Sequence, residues 1–216
     1  MKRAIVMAIS VILALAVAAP IASGQPASQR QDLKALSGEW WTWALTAPSP
    51  LKGDYSSPDP RCEGEFVEGA FFLAGTSPLV TTERDAKRTC TVPARTALFF
   101  PVINAFITEE EDTPPLVYPE YPTNFVDTAL ANGEPYATLD GKALKTSRIA
   151  TGPFTLIFSE SNIFGVPGGP YPYPAVSDGL WVYLPQGLEP GEYTVRFGGD
   201  FGEVASLNIT YTLIVV

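Results

Sequence analysis

Carboxylates carry most of the chemistry open to this chain, because its 216 residues include no histidine. That absence removes Ser-His-Asp and Cys-His triads, histidine zinc and copper sites, and the usual general base near neutral pH. Catalysis would have to use carboxylates, Lys, Tyr, Ser/Thr or a hard metal held by oxygen. Asp178, between Ser177 and Gly179, and Glu160, beside Ser161 and Asn162, form the candidate pair. Both are expected in loops next to strand ends, and two carboxylates flanking a bond are what glycoside hydrolysis needs. The plainer reading is that Asp-Gly and Ser-Asn are ordinary turn residues. The run Glu109-Glu110-Glu111-Asp112 offers oxygen ligands of the kind Ca²⁺ takes. It lacks the alternating carboxylates and pivot glycine of an EF-hand loop, so a solvated acidic loop competes. No cofactor besides Ca²⁺ is implied.

Aromatic residues are the second group with chemical reach. Tyr171 and Tyr173 stand in a Pro/Gly tract, Pro167 to Pro174, whose prolines hold the backbone extended and splay the rings apart. Tyr118 and Tyr121, between prolines, give a second aromatic loop. Tyrosine faces stack on sugar rings or Pro-rich partners at little entropic cost. The competing reading is a rigid connector whose tyrosines lie on the fold. Trp40, Trp41 and Trp43 fall within four residues. On a helical wheel Leu33, Leu36, Trp40, Trp43 and Ala44 share one face, which predicts an amphipathic helix from about Gln31 to Thr46. Trp40 and Trp43 are then core residues. Trp41 lies at the stripe's edge, half exposed and available to a ligand. Gly38 costs this helix about 1 kcal/mol relative to alanine, and Pro48 and Pro50 end it.

These groups need a scaffold, and the rest of the chain reads as β-structure. Strands are expected at Glu65–Gly75, Arg88–Pro93, Ala97–Asn104, Phe154–Phe158, Gly179–Leu184, Glu192–Phe197 and Leu207–Val216. The Ala97–Asn104 run is apolar throughout, so it is buried on both faces, with Pro101 marking an edge or a bulge. The last strand alternates: Leu207, Ile209, Tyr211, Leu213 and Val215 on one face, Asn208, Thr210 and Thr212 on the other. Short strands with regular turns predict a mainly β fold. The expected form is an antiparallel β-sandwich, Ig-like or jelly-roll, with the N-terminal helix packed on it. Residues 105–140 contain no Lys or Arg and are rich in acid and proline. They read as an insertion over one end of a sheet, with a short helix from Asn124 to Asn132.

Lys2, Arg3 and the apolar run that follows, closed by Ala22-Ser23-Gly24, read as a signal peptide over residues 1–24. An uncleaved anchor is the alternative. Residues 25–216 would then be one secreted domain, extracellular or periplasmic, with no stable membrane insertion. Cys62 and Cys90 are the two cysteines, and in an oxidising compartment such a pair most simply forms one disulfide. A net charge of −9 argues against nucleic acid or an anionic membrane as partner.

Several segments together resemble a family of secreted bacterial proteins. They are Trp40 to Ala44 (Trp-Trp-x-Trp-Ala), Cys62, Phe72 to Thr76, Arg88 to Pro93 (Arg-x-Cys-x-Val-Pro) and Leu98 to Asn104 (Leu-Phe-Phe-Pro-x-x-Asn). Asn162 to Gly165, Ser177 to Gly179 and Pro190 to Gly199 extend the likeness along the chain. The resemblance implies a shared secreted fold with paired cysteines and carries no activity. Three readings of function follow from the residues. The first is a non-enzymatic protein binding a glycan or cell-surface component through aromatic loops. The second is a carboxylate-dependent polysaccharide hydrolase. The third is an assembly protein that pairs its final strand with another subunit.

Overall fold

A computed structural model describes residues 32–62, 70–78, 80–82, 84–109, 118, 120–203 and 206–216. The expected signal peptide, residues 1–24, and the acidic residues Glu110, Glu111 and Asp112 lie outside them. Helix α1 spans Leu33–Leu45, and its first free amides are capped by the Asp32 carboxylate, which accepts from the N–H of Lys34 and Ala35. The strands are β1 Tyr55–Ser56, β2 Ala70–Phe72, β3 Asp85–Val92 and β4 Ala97–Thr108. Helix α2, Glu120–Asn132, follows. Then come β5 Tyr136–Leu139, β6 Lys142–Ala143, β7 Thr146–Phe154, β8 Ile157–Phe158, β9 Gly169–Pro170, β10 Ala175–Leu184, β11 Gly191–Asp200 and β12 Ser206–Val215.

The chain is mainly β, in two principal sheets and one small ribbon. The six-stranded sheet runs β1-β3-β12-β11-β5-β6, the four-stranded sheet β2-β4-β10-β7, and β8 pairs with β9. The expectation of purely antiparallel sheets is corrected here. β1 with β3, β3 with β12, and β2 with β4 are parallel. Alternation along a strand says which face each residue takes, but nothing about the direction of a neighbour brought in from far along the chain.

One buried cluster draws on both large sheets, including Leu98, Phe100, Val182, Phe197, Ile209 and Leu213. The alternation expected of the last strand is present: Ile209, Tyr211, Leu213 and Val215 are buried. β12 lies between β3 and β11, so both of its edges are hydrogen-bonded and neither is free for a second subunit. The Cys62–Cys90 disulfide links the turn after β1 to β3. Beside it Arg88 is buried with its guanidinium donating to the carbonyls of Gly53, Ala74 and Gly75 and to the Tyr211 hydroxyl. It also lies over the Tyr55 ring, 4.7 Å from the centroid.

A second cluster lies on the other face of the four-stranded sheet, where α1 packs Leu36, Trp40 and Trp43 against Phe72, Phe99 and Trp181. Gly38 is needed for this approach: a Cβ there would meet the Phe154 ring of β7 at 3.0 Å. Trp41 departs from expectation. It is only 6% exposed, because Phe106 covers its ring with centroids 4.6 Å apart.

Three other boundaries differ from the sequence reading. The expected strand Phe154–Phe158 is divided between the end of β7 and the start of β8. Within 105–140 the chain first completes β4, then forms α2, then enters the six-stranded sheet as β5. α2 also begins at Glu120 rather than Asn124, because Pro122 falls in its first turn, where a missing N–H costs nothing.

Candidate functional site

A cavity of about 500 Å³ opens beside Trp41. Its walls are largely aromatic: Trp41 from α1, Phe106 from β4, Tyr121 and Phe125 from α2, and Phe158, Phe164 and Tyr171 from the β8–β9 lobe. Five consecutive residues, Asn104 to Thr108, line it, so one edge of β4 borders the space. β2 pairs with β4 only as far as Phe99, which leaves this half of β4 without a ladder partner on that side among the described residues.

A single irregularity aims the key side chains. Across β4 and β10, Leu180 pairs with Ile103 but Trp181 pairs with Pro101, so Val102 is an extra residue. This is a β-bulge at a proline that has no N–H to give to a ladder. Val102 and Ile103 therefore both point away from α1, into clusters with the second sheet and with α2. Past the bulge the parity is reversed, and Asn104 and Phe106 turn toward the α1 face and the cavity. Gly179 makes room for them, since a Cβ there would lie 2.5 Å from Trp181 Nε1 and 2.8 Å from Asn104 Cβ.

Two further elements complete the walls. On α2, Tyr121 and Phe125 are four residues apart and stack with centroids 6.3 Å apart. In the loop after β8, the Asn162 side chain donates to the carbonyls of Ser159 and Val166. It accepts from the N–H groups of Phe164 and Val166, shaping the turn that brings both residues to the cavity. Tyr171 is edge-on to Phe158 at 5.3 Å and to Tyr173 at 5.8 Å.

Two of the lining residues keep buried hydrogen-bond donors unpaired. Trp41 Nε1 and Asn104 Nδ2 are buried and have no hydrogen-bond partner among the described residues. By contrast, Trp40 Nε1 donates to the Leu73 carbonyl at 3.0 Å. The three tryptophans thus divide their work: Trp40 and Trp43 hold the core, while Trp41 is both core and wall.

Of the aromatic candidates, Trp41, Tyr121 and Tyr171 meet at this cavity. Tyr173 reaches it only through Tyr171. Tyr118 sits in a turn, where burial and secondarily the Glu109 charge lift its phenol above the ordinary value. Phe106, Phe125, Phe158 and Asn104 were not anticipated. The Tyr121/Phe125 spacing was a usable signal; the others depend on the bulge and on loop packing.

The carboxylate candidates are elsewhere. Asp178 lies inside β10 rather than in a loop, on the face away from α1, and its side chain is 2% exposed. Arg148 Nη2 meets its Oδ2 at 2.7 Å, and the Gly179 N–H donates to Oδ1 at 2.7 Å. Arg148 also pairs with Asp127 of α2, so Arg148 ties β7, β10 and α2 together. Hydrogen bonds donated to Asp178 and then to Asp127 hold the guanidinium still further toward its charged form. Glu160 is exposed beside Gly168. No hydrogen bond joins it to Asp178 among the described residues, and neither lines the cavity. Glu109 is exposed, its N–H donating to the Pro174 carbonyl. Among the described residues no group of three or more acidic or cysteine side chains is placed to hold a metal. None of their helices is long and apolar enough to cross a membrane.

No family model matches this chain, and no curated protein matches it. Among solved structures, a chain of "Structure of PbICP-C in complex with falcipain-2" is similar at 9% identity, over 67% of this chain and 98% of that chain. Its TM-score is 0.25, and a likeness that slight carries no argument about fold or function.

Proposed function

We propose that this is an exported, non-enzymatic binding protein that holds a sugar ring of a glycan or cell-surface component in the aromatic cavity. The observation that carries the reading is the convergence of Trp41, Tyr121 and Tyr171, from three separate segments, on one space of about 500 Å³. That size lies within the range of small-ligand sites. Aromatic faces take the C–H face of a pyranose, and buried N–H groups of the lining residues fix its oxygens. Asp178 is engaged by Arg148, and among the described residues no carboxylate lines the cavity, so the hydrolase reading gains no support. The reading invokes no cofactor and no nucleic acid. Export to an extracellular or periplasmic space accords with the disulfide and with the apolar N-terminal segment. We also read the two sheets that share a core as a β-sandwich, with mixed rather than purely antiparallel sheets.

The test is retention of the purified protein on insoluble polysaccharides and bacterial cell-wall material, alongside Tyr121→Ala. Tyr121 is 45% exposed, so its loss leaves the fold intact. Retention that one soluble glycan competes away, and that the variant lacks, supports the reading. No retention on any material overturns it.

A further inference from the structure

We propose that the sugar unit bound in the aromatic cavity carries a carboxylate, as a uronic acid does, and that Arg84, Asn104 and Trp41 receive it. This rests on the binding reading above and names the chemical class of its ligand.

A second, narrower cavity of about 160 Å³ adjoins the first and shares Trp41, Asn104 and Phe125 with it. Arg84 and Thr76 also line it. The larger space is wide enough for a pyranose ring, whereas the smaller suits a substituent projecting from that ring. The shared boundary carries Trp41 and Asn104, and the hydroxyl of Thr76, which lines the small cavity, is likewise buried without a partner among the described residues. Trp41 Nε1–H and the Asn104 amide N–H can only donate. Buried donors left unmade cost about 1–3 kcal/mol each, a deficit that a ligand removes by presenting acceptors. A neutral hydroxyl brings a proton of its own, whereas an ionised carboxylate is acceptor-only and takes several donors at once.

Charge points the same way. The chain is strongly acidic, at −9, yet among the described residues no Asp or Glu lines either cavity. The charged side chain there is Arg84, which forms no ion pair among the described residues. A pocket whose described lining holds an arginine and no carboxylate is suited to an anion.

The experiment is a tryptophan-fluorescence titration of the whole protein at neutral pH and low salt. Glucuronic and galacturonic acids are compared with glucose and galactose. The acids should bind at least about tenfold more tightly than their neutral counterparts, and added salt should weaken only the acids. Arg84→Gln, at an exposed position, should shrink the preference for acids over neutral sugars to within about twofold. Arg84→Glu should invert the preference. Equal binding of acids and neutral sugars, or a preference that survives Arg84→Gln, overturns the carboxylate assignment and leaves the pocket reading standing. If none of the four sugars binds, the uronic-acid assignment falls, and the pocket reading is decided by the retention panel.

Discussion

Trp41 and Asn104 line one cavity, and the indole N–H of the first and the amide N–H of the second are buried with no hydrogen-bond partner among the described residues. One comes from α1 and one from β4. Trp41→Phe keeps an aromatic face while deleting the donor. Sugar affinity should fall by about two- to tenfold, the worth of one hydrogen bond. Titration followed through the remaining tryptophans or by calorimetry reads this directly, and unchanged affinity would mean that the indole N–H takes no part.

Asp178→Asn separates a structural carboxylate from a catalytic one. The Asp178 side chain is buried while that of Arg148 is 35% exposed, so solvent softens the loss of the pair. Destabilisation should be about 1–3 kcal/mol by urea unfolding. Ligand retention should be unaltered. Loss of retention at unchanged stability would instead put Asp178 in the binding chemistry.

Arg88→Met should cost at least about 3 kcal/mol, because it strands the carbonyls of Gly53, Ala74 and Gly75 and the Tyr211 hydroxyl in the core. Arg88→Lys should rescue little, since one ammonium cannot span acceptors arranged for a planar fork. Urea midpoints for the two variants decide the matter, and near-wild-type stability of the lysine variant would contradict it.

Alkaline pH should weaken the fold through Tyr55. Burial, with the adjacent Tyr211 next, raises the Tyr55 phenol well above its ordinary value of 10.0. Its oxygen lies 2.7 Å from that of Tyr211. Tyr211 donates its proton to the Ala74 carbonyl, so Tyr55 is the donor of this pair. Above pH 10 the unfolded chain releases the Tyr55 proton while the folded chain keeps it. The contribution is therefore complete below that pH and is lost as pH climbs toward the folded value. Urea midpoints at pH 8 and pH 11 should converge in Tyr55→Phe relative to wild type. An alkaline loss as steep as wild type would assign the effect to other tyrosines.

Replacing both Cys62 and Cys90 with alanine should lower stability by about 3–4 kcal/mol, the chain-entropy value for the loop they close. The two residues are 28 positions apart. A reductant should shift the wild-type melting temperature toward that of the double variant and leave the variant where it is.

Much of this protein was legible residue by residue. The wheel from Leu33 to Ala44 identified α1 and two of its core tryptophans, because burial of one helical face is written as a 3.6-residue period. The alternation from Leu207 to Val215 identified β12 and its buried face in the same way. The pairing of the two cysteines followed from their number.

What tertiary structure decided is the site. One extra residue at Val102 reverses the faces of everything after it in β4, and only the partner strand reveals that the count has slipped. Asn104 and Phe106 reach the cavity for that reason, and Phe106 then buries the Trp41 ring that a helical wheel left half exposed. Asp178 likewise looked like a turn residue until Arg148, thirty positions earlier, was found beside it. A local pattern records how a residue faces its own element. Which direction a neighbouring strand runs, and which donors are left unmet, depends on segments that meet only once the chain has folded.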